Sequence, residues 1–166
     1  MAHDEEKERI EKELVDALAD AHAMEKQSLT TLEAAKKVAG DPQLEALYHG
    51  HVAETLRHIE LLEARLEAHD ASRSFVKDLG GRVSALALGT GLVAQKNTPA
   101  KLVAVAYGFE NFEIASYEML RKIAEKAGDA ETVEMCDRIL VNERQAAEKL
   151  AASYDLALKA AGVVYA

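Results

Sequence analysis

The chain has 166 residues and a net charge of −9, from 20 Lys and Arg against 29 Asp and Glu. That balance argues against a general nucleic-acid or anionic-membrane binder, and the single cysteine, Cys136, excludes an internal disulfide. Hydrophobic residues make up 49% of the chain, aromatics only 5%, and there are two prolines, a composition of long helices rather than of a sandwich or barrel.

The first residues, "MAHDEEKERIEKEL", are charged and contain no apolar signal core. No stretch reaches the roughly 18 apolar residues of a membrane span. A cytoplasmic protein with no membrane partner is therefore expected. A first helix is predicted over about 5–39, closed by Gly40. Asp41 as N-cap and Pro42 in the first helical position open a second, over 42–69. Residues 71–97 are too long for a tight turn, and "GGRVSALALGTGLVAQ" in their middle has the apolar spacing of a shorter helix. Thr98 and Pro99 open a third long helix, 99–127. Gly128 stops it, and Asp129 caps a fourth, 129–161. Short links make antiparallel neighbours, and one long crossover between the second and third helices is the connection of ferritin-like bundles. The expected fold is all-α: a single ferritin-like domain over 1–166, an antiparallel four-helix bundle with a long, partly helical crossover.

Bundle helices repeat their core positions at alternating steps of three and four. The first series is Leu14, Leu18, Ala21, Glu25, Ser28, Leu32, Ala35; the second is Leu44, Leu47, His51, Glu54, His58, Leu61, drifting to Leu62 and Leu66. The third is Val103, Ala106, Glu110, Glu113, Tyr117, Leu120, Ala124; the fourth is Cys136, Leu140, Glu143, Ala147, Leu150, Tyr154. All four seams are apolar toward their ends and carry carboxylate near the middle. Counted from the hairpin turns at 1.5 Å per residue, Glu25 and Glu54 differ in height by only about 3 Å, and Glu110 and Glu143 by about 4–5 Å. One such glutamate reads as a solvated bundle-end residue, and one core histidine as a hydrogen-bonded packing residue. Four helices interrupted at one level point to something shared. Buried carboxylates repel each other and resist ionisation, and no seam offers Lys or Arg at that height. A divalent metal pair compensates the charge, and carboxylate with imidazole suits iron or manganese.

Four stretches, "LADAHAMEKQSL", "HGHVAETLRHIELLE", "FENFEIASYEML" and "NERQAAEKL", resemble the YciE/YciF family of ferritin-like proteins over nearly the whole chain. In that resemblance Glu25 matches the first-helix glutamate. His51, Glu54 and Thr55 match H-x-x-E-T. Glu110, Glu113 and Tyr117 match E-H-x-E-I-x-x-Y with Asn111 for its histidine. Glu143 matches the fourth-helix motif with Asn142 for its first glutamate. The wider di-iron class places histidines where this chain has Arg57 and Ala146. The resemblance implies a stress-associated homodimer with ferroxidase chemistry. The expected metal set is Glu25, Glu54, Glu110, Glu113, Glu143 and His51, with Glu54 bridging, His51 ligating or orienting a carboxylate, and His58 outside. Two functions are expected. One is a di-iron oxidase holding two Fe ions per chain, with Mn or Zn as substitutes and O2 or peroxide as oxidant. The other is a non-enzymatic helical structural or interaction protein with a degenerate metal site. The crossover stripe Phe75, Leu79, Val83, Leu86 and Val93 is expected to contribute to a dimer interface.

Overall fold

The computed structural model describes residues 2–71 and 98–163. Five helices occur among them: α1 (Ala2–Lys37), α2 (Pro42–Ala68), α3 (Pro99–Ala127), α4 (Ala130–Ala152) and α5 (Tyr154–Ala160). The crossover, with its apolar stripe, lies outside the described residues.

Local chemistry sets the ends. Asp4 and Glu5 in the first turn of α1 and Lys36 and Lys37 in its last complement the helix dipole. Asp41 caps α2, accepting from the Gln43 amide at 2.7 Å, and Thr98 caps α3, accepting from the Lys101 amide at 3.3 Å. Gly128 ends α3 at φ 76°. The Asp129 amide returns to the Ala124 carbonyl at 3.0 Å and the Gly128 amide to Glu125 at 3.3 Å, the paired bonds of a Schellman cap. The run expected as one helix over 129–161 divides at Ser153. There the amide and hydroxyl both bond the Leu150 carbonyl, at 3.0 and 2.8 Å. The chain bends, so Tyr154 leaves the core line and is 43% exposed. Its ring instead meets Tyr107 edge to face at 6.1 Å.

Two apolar clusters fill the two ends of the bundle. One joins Leu14 and Leu18 of α1, Leu62 and Leu66 of α2, Leu120 and Ala124 of α3, and Cys136 and Ile139 of α4. The other joins Leu32 and Ala35, Leu44 and Tyr48, Leu102 and Val103, and Leu150 with Ala157 of α5. The start of α1 thus meets the ends of α2 and α3 and the start of α4. Helices α2 and α3 therefore run parallel. Between the clusters lies a polar belt to which all four long helices contribute.

The first and third core series are buried at every position. The second keeps Leu44, His51 and His58 inward and drifts to Leu62 as expected, at 0% against 38% for Leu61, but takes Tyr48 and Thr55, each at 1%, in place of Leu47 and Glu54. Adjacent apolar or polar pairs at 47/48, 54/55 and 61/62 made either line compatible with the pattern. Packing of Tyr48 and Leu62 into the two end clusters selects the later one.

Candidate metal centre

His51 and His58 are seven residues apart, two turns on one face of α2, and both rings enter the core. His51 Nε2 lies 3.0 Å from Glu110 Oε2 and 3.7 Å from Glu143 Oε2. His58 Nδ1 lies 2.9 Å from Glu143 Oε1 and 3.2 Å from Glu25 Oε1. Glu25, Glu110, Glu113 and Glu143 are all within 1% of complete burial. Their ligand atoms form two groups that share one residue: His51, Glu110, Glu113 and Glu143, and Glu25, His58 and Glu143, each within 4.8 Å.

These atoms approach each other without closing well-aligned hydrogen bonds. Glu25 Oε2, both oxygens of Glu110, Glu113 and Glu143, His51 Nε2 and His58 Nδ1 are buried and unpartnered. Leaving such groups unpaired costs about 1–3 kcal/mol each, more when charged. Convergence of carboxylate and imidazole lone pairs on shared points is what a cation requires. Four carboxylates also balance two divalent ions, so the residues fit a metal pair.

The electrostatics describe a site short of positive charge. Burial pushes the Glu110 carboxyl up to about 8 and that of Glu113 well above its usual range, with Glu25, Glu110 and Glu143 adding repulsion on Glu113. Burial likewise raises Glu25. Glu143 goes the other way: burial opposes its ionisation, but His58, Glu110 and His51 hold the carboxylate charged. Burial would keep the histidines neutral, yet the surrounding carboxylates raise both to about 9.

Outer contacts orient the inner groups. The Tyr117 hydroxyl donates to Glu25 Oε1 at 2.5 Å, fully buried, and leaves Oε2 free. His51 Nδ1 faces Glu54 Oε2 at 3.2 Å. His58 Nε2 faces the Asn142 amide at 3.1 Å. In each histidine one ring nitrogen has an outer contact while the other points inward; for His51 that contact is a carboxylate acceptor, the usual arrangement behind a ligating imidazole, and for His58 it is the Asn142 amide nitrogen.

Of the residues singled out from the sequence, Glu25, Glu110, Glu113, Glu143 and His51 come together. Glu54 does not join them. Because the core line passes through Thr55, its side chain sits on the flank of α2, 23% exposed, behind His51. The shared carboxylate is Glu143, and the facing partner of Glu25 is His58. From sequence His58 is expected outside, because it lies one turn beyond Glu54. Its seven-residue spacing from His51 was the available signal.

The bundle, with parallel second and third helices and a carboxylate–imidazole cluster at mid-core, has the fold of ferritin-like proteins and fits their di-metal class. More narrowly, the chain belongs to the family described as a domain of unknown function (DUF892), whose sequence profile matches residues 9–161. Protein YciF of Escherichia coli (strain K12) is 28% identical over 152 residues, covering 85% of this chain and 87% of YciF. The crystal structure of the E. coli stress protein YciF matches with a TM-score of 0.71 at 24% identity, over 92% of this chain and 97% of that one. A Xanthomonas campestris protein matches at 0.74 with 28% identity, over 92% and 94%. Dps from Thermosynechococcus elongatus matches at 0.74 with 16% identity, over 87% and 92%, a likeness of fold alone.

Proposed function

We propose that the chain is a di-iron carboxylate protein with ferroxidase activity. The observation that carries the reading is Glu143, whose two oxygens face two separate histidine-headed ligand groups. His51, Glu110 and Glu113 would hold one ion, Glu25 and His58 the other, and Glu143 would join them. Two Fe(II), one O2 and two protons give two Fe(III) and one H2O2; with H2O2 as oxidant, two Fe(II) and two protons give two Fe(III) and two waters. The chain's own part is to hold the ligands ready and dry. Tyr117 fixes Glu25 by one oxygen, Glu54 holds His51 by Nδ1, and the buried carboxylates offset the charge gained on oxidation. Half a turn of the Asn142 amide presents its oxygen to the His58 Nε2–H.

The same reading carries a stress-associated role, by likeness to the E. coli stress protein YciF, a cytoplasmic location and a homodimer, for which light scattering at twice the 18.0 kDa chain mass is the check. No helix among the described residues is long and apolar enough to cross a membrane.

Fe(II) added aerobically to the metal-free protein should produce near-ultraviolet ferric absorption faster than in buffer, and Glu110→Gln and Glu143→Gln should abolish the difference. Oxidation at the buffer rate sinks the reading. Metal content well below one ion per chain, with a melting temperature unmoved by Fe(II), Mn(II) or Zn(II), would favour a non-enzymatic structural protein instead.

A further inference from the structure

The metal ligands are buried, and ions must cross protein to reach them. Helices α2 and α4 make the sparsest lateral contact of the bundle. A cavity of about 340 Å³ lies between them, and His51 and Glu54 are among its walls. Its sides are small or apolar where the helices face each other, with Gly50 and Leu47 on α2 and Ala146 on α4. A Cβ built on Gly50 would meet nothing within 4 Å. Side-chain exposure is 4% for His51, 2% for His58 and no more than 1% for Glu25, Glu110 and Glu143, against 23% for Glu54. Glu54 therefore has one oxygen on the ring of His51 and a face in the cavity. The cavity on the α1–α3 face, by contrast, ends on Met24, Phe112 and Leu120 and touches none of the inner ligands.

We infer that the α2–α4 cleft is the route by which divalent cations reach the centre, and that Glu54 is the transit carboxylate that takes them from solvent and passes them to His51 and Glu110. The inference rests on the di-metal reading above. Charge supports the assignment. Among the described residues that line the cleft, Glu54 is the one carboxylate and Lys149 the one ammonium, so neutralising Glu54 leaves the lining net positive and repels a cation. Glu54 is thus a positioning and transfer group rather than a resident ligand. Gly50 keeps the cleft open: a longer side chain there leans back along the helix toward Leu47, over the cleft.

Co(II) uptake by the full metal-free chain, followed by stopped-flow visible absorption, tests this. Gly50→Leu and Glu54→Gln should each slow loading by about tenfold, the low end of what a focusing charge or open path contributes to an on-rate. The final number of Co(II) ions per chain should stay at the parent value. Gly50→Ala, which adds little bulk, should load at the parent rate and shows that the Leu effect is one of size. Both blocking variants loading as fast as the parent overturns the route while leaving the metal centre intact. A Glu54→Gln chain that saturates at fewer ions overturns the transit role and makes Glu54 a ligand. A parent chain that takes up no Co(II) overturns the di-metal reading, and the route with it.

Discussion

Glu143 and His58 meet at 2.9 Å in the middle of the core, and the other oxygen of the same carboxylate faces His51 at 3.7 Å. One side chain from α4 thus faces both buried imidazoles of α2. Glu143→Gln keeps the shape and removes the charge. It should weaken Co(II) or Zn(II) binding by at least about 100-fold, beyond the 10–100-fold range of outer partners. Isothermal titration of the metal-free protein is the check, and unchanged affinity for both ions would remove Glu143 from the shared position.

Tyr117 is buried completely and its hydroxyl donates a hydrogen bond to Glu25. Tyr117→Phe leaves Glu25 Oε1 without its donor. Urea unfolding in EDTA should show a loss of about 1–3 kcal/mol. Metal affinity should fall by about 10–100-fold, the effect of losing an orienting partner. A stability loss with no change in affinity would make the tyrosine a packing residue.

A second ionic group ties the ends of three helices. Arg65 reaches both oxygens of Asp129 at 2.9 and 2.8 Å, and His69 bridges Asp129 at 2.9 Å and Glu11 at 2.5 Å. Partial burial works against both charges. Nonetheless the Thr132 hydroxyl and amide, His69 and Arg65 hold the Asp129 carboxyl well below its usual range, and Asp129 and Glu11 raise His69. The depressed carboxyl contributes stability above the unfolded value of about 3.9 and loses it as pH falls through the folded value. The raised imidazole contributes fully below about 6.5 and loses it as pH rises through its folded value. In metal-free protein, the Tm gap between parent and His69→Ala should therefore be widest near pH 5–6, worth less than about 1 kcal/mol in this part-exposed setting. It should narrow as pH rises through the raised folded value of the imidazole. A gap that stays constant over that range would show that His69 acts through packing.

Two glycines should respond in opposite senses. Gly108 sits exposed inside α3, and a methyl group added there would meet nothing within 4 Å beyond the local backbone of its own helix, so Gly108→Ala should stabilise by about 0.5–1 kcal/mol. Gly128 holds φ 76° at the α3 cap, and Gly128→Ala should destabilise by about 1–2 kcal/mol. Thermal melts of the two variants check both signs.

Helix ends, the antiparallel hairpins and a carboxylate belt at one level were legible in the residues, because caps, breakers and a 3.6-residue repeat are local. Glu25, Glu110, Glu113 and Glu143 could be placed on core lines that the structure buries. What tertiary structure decided was the rotation of α2. With Leu44, His51 and His58 inward on either line and near-equivalent residues at 47/48, 54/55 and 61/62, local pattern left open which residue of each pair faces in. Packing of Tyr48 and Leu62 into the two end clusters resolved it. That choice put Thr55 inward and Glu54 on the cleft, while His58, already on the core line, meets Glu25 and Glu143. Which carboxylate two ions would share is a matter of ångströms across the core, set by how four helices pack and not by any one of them.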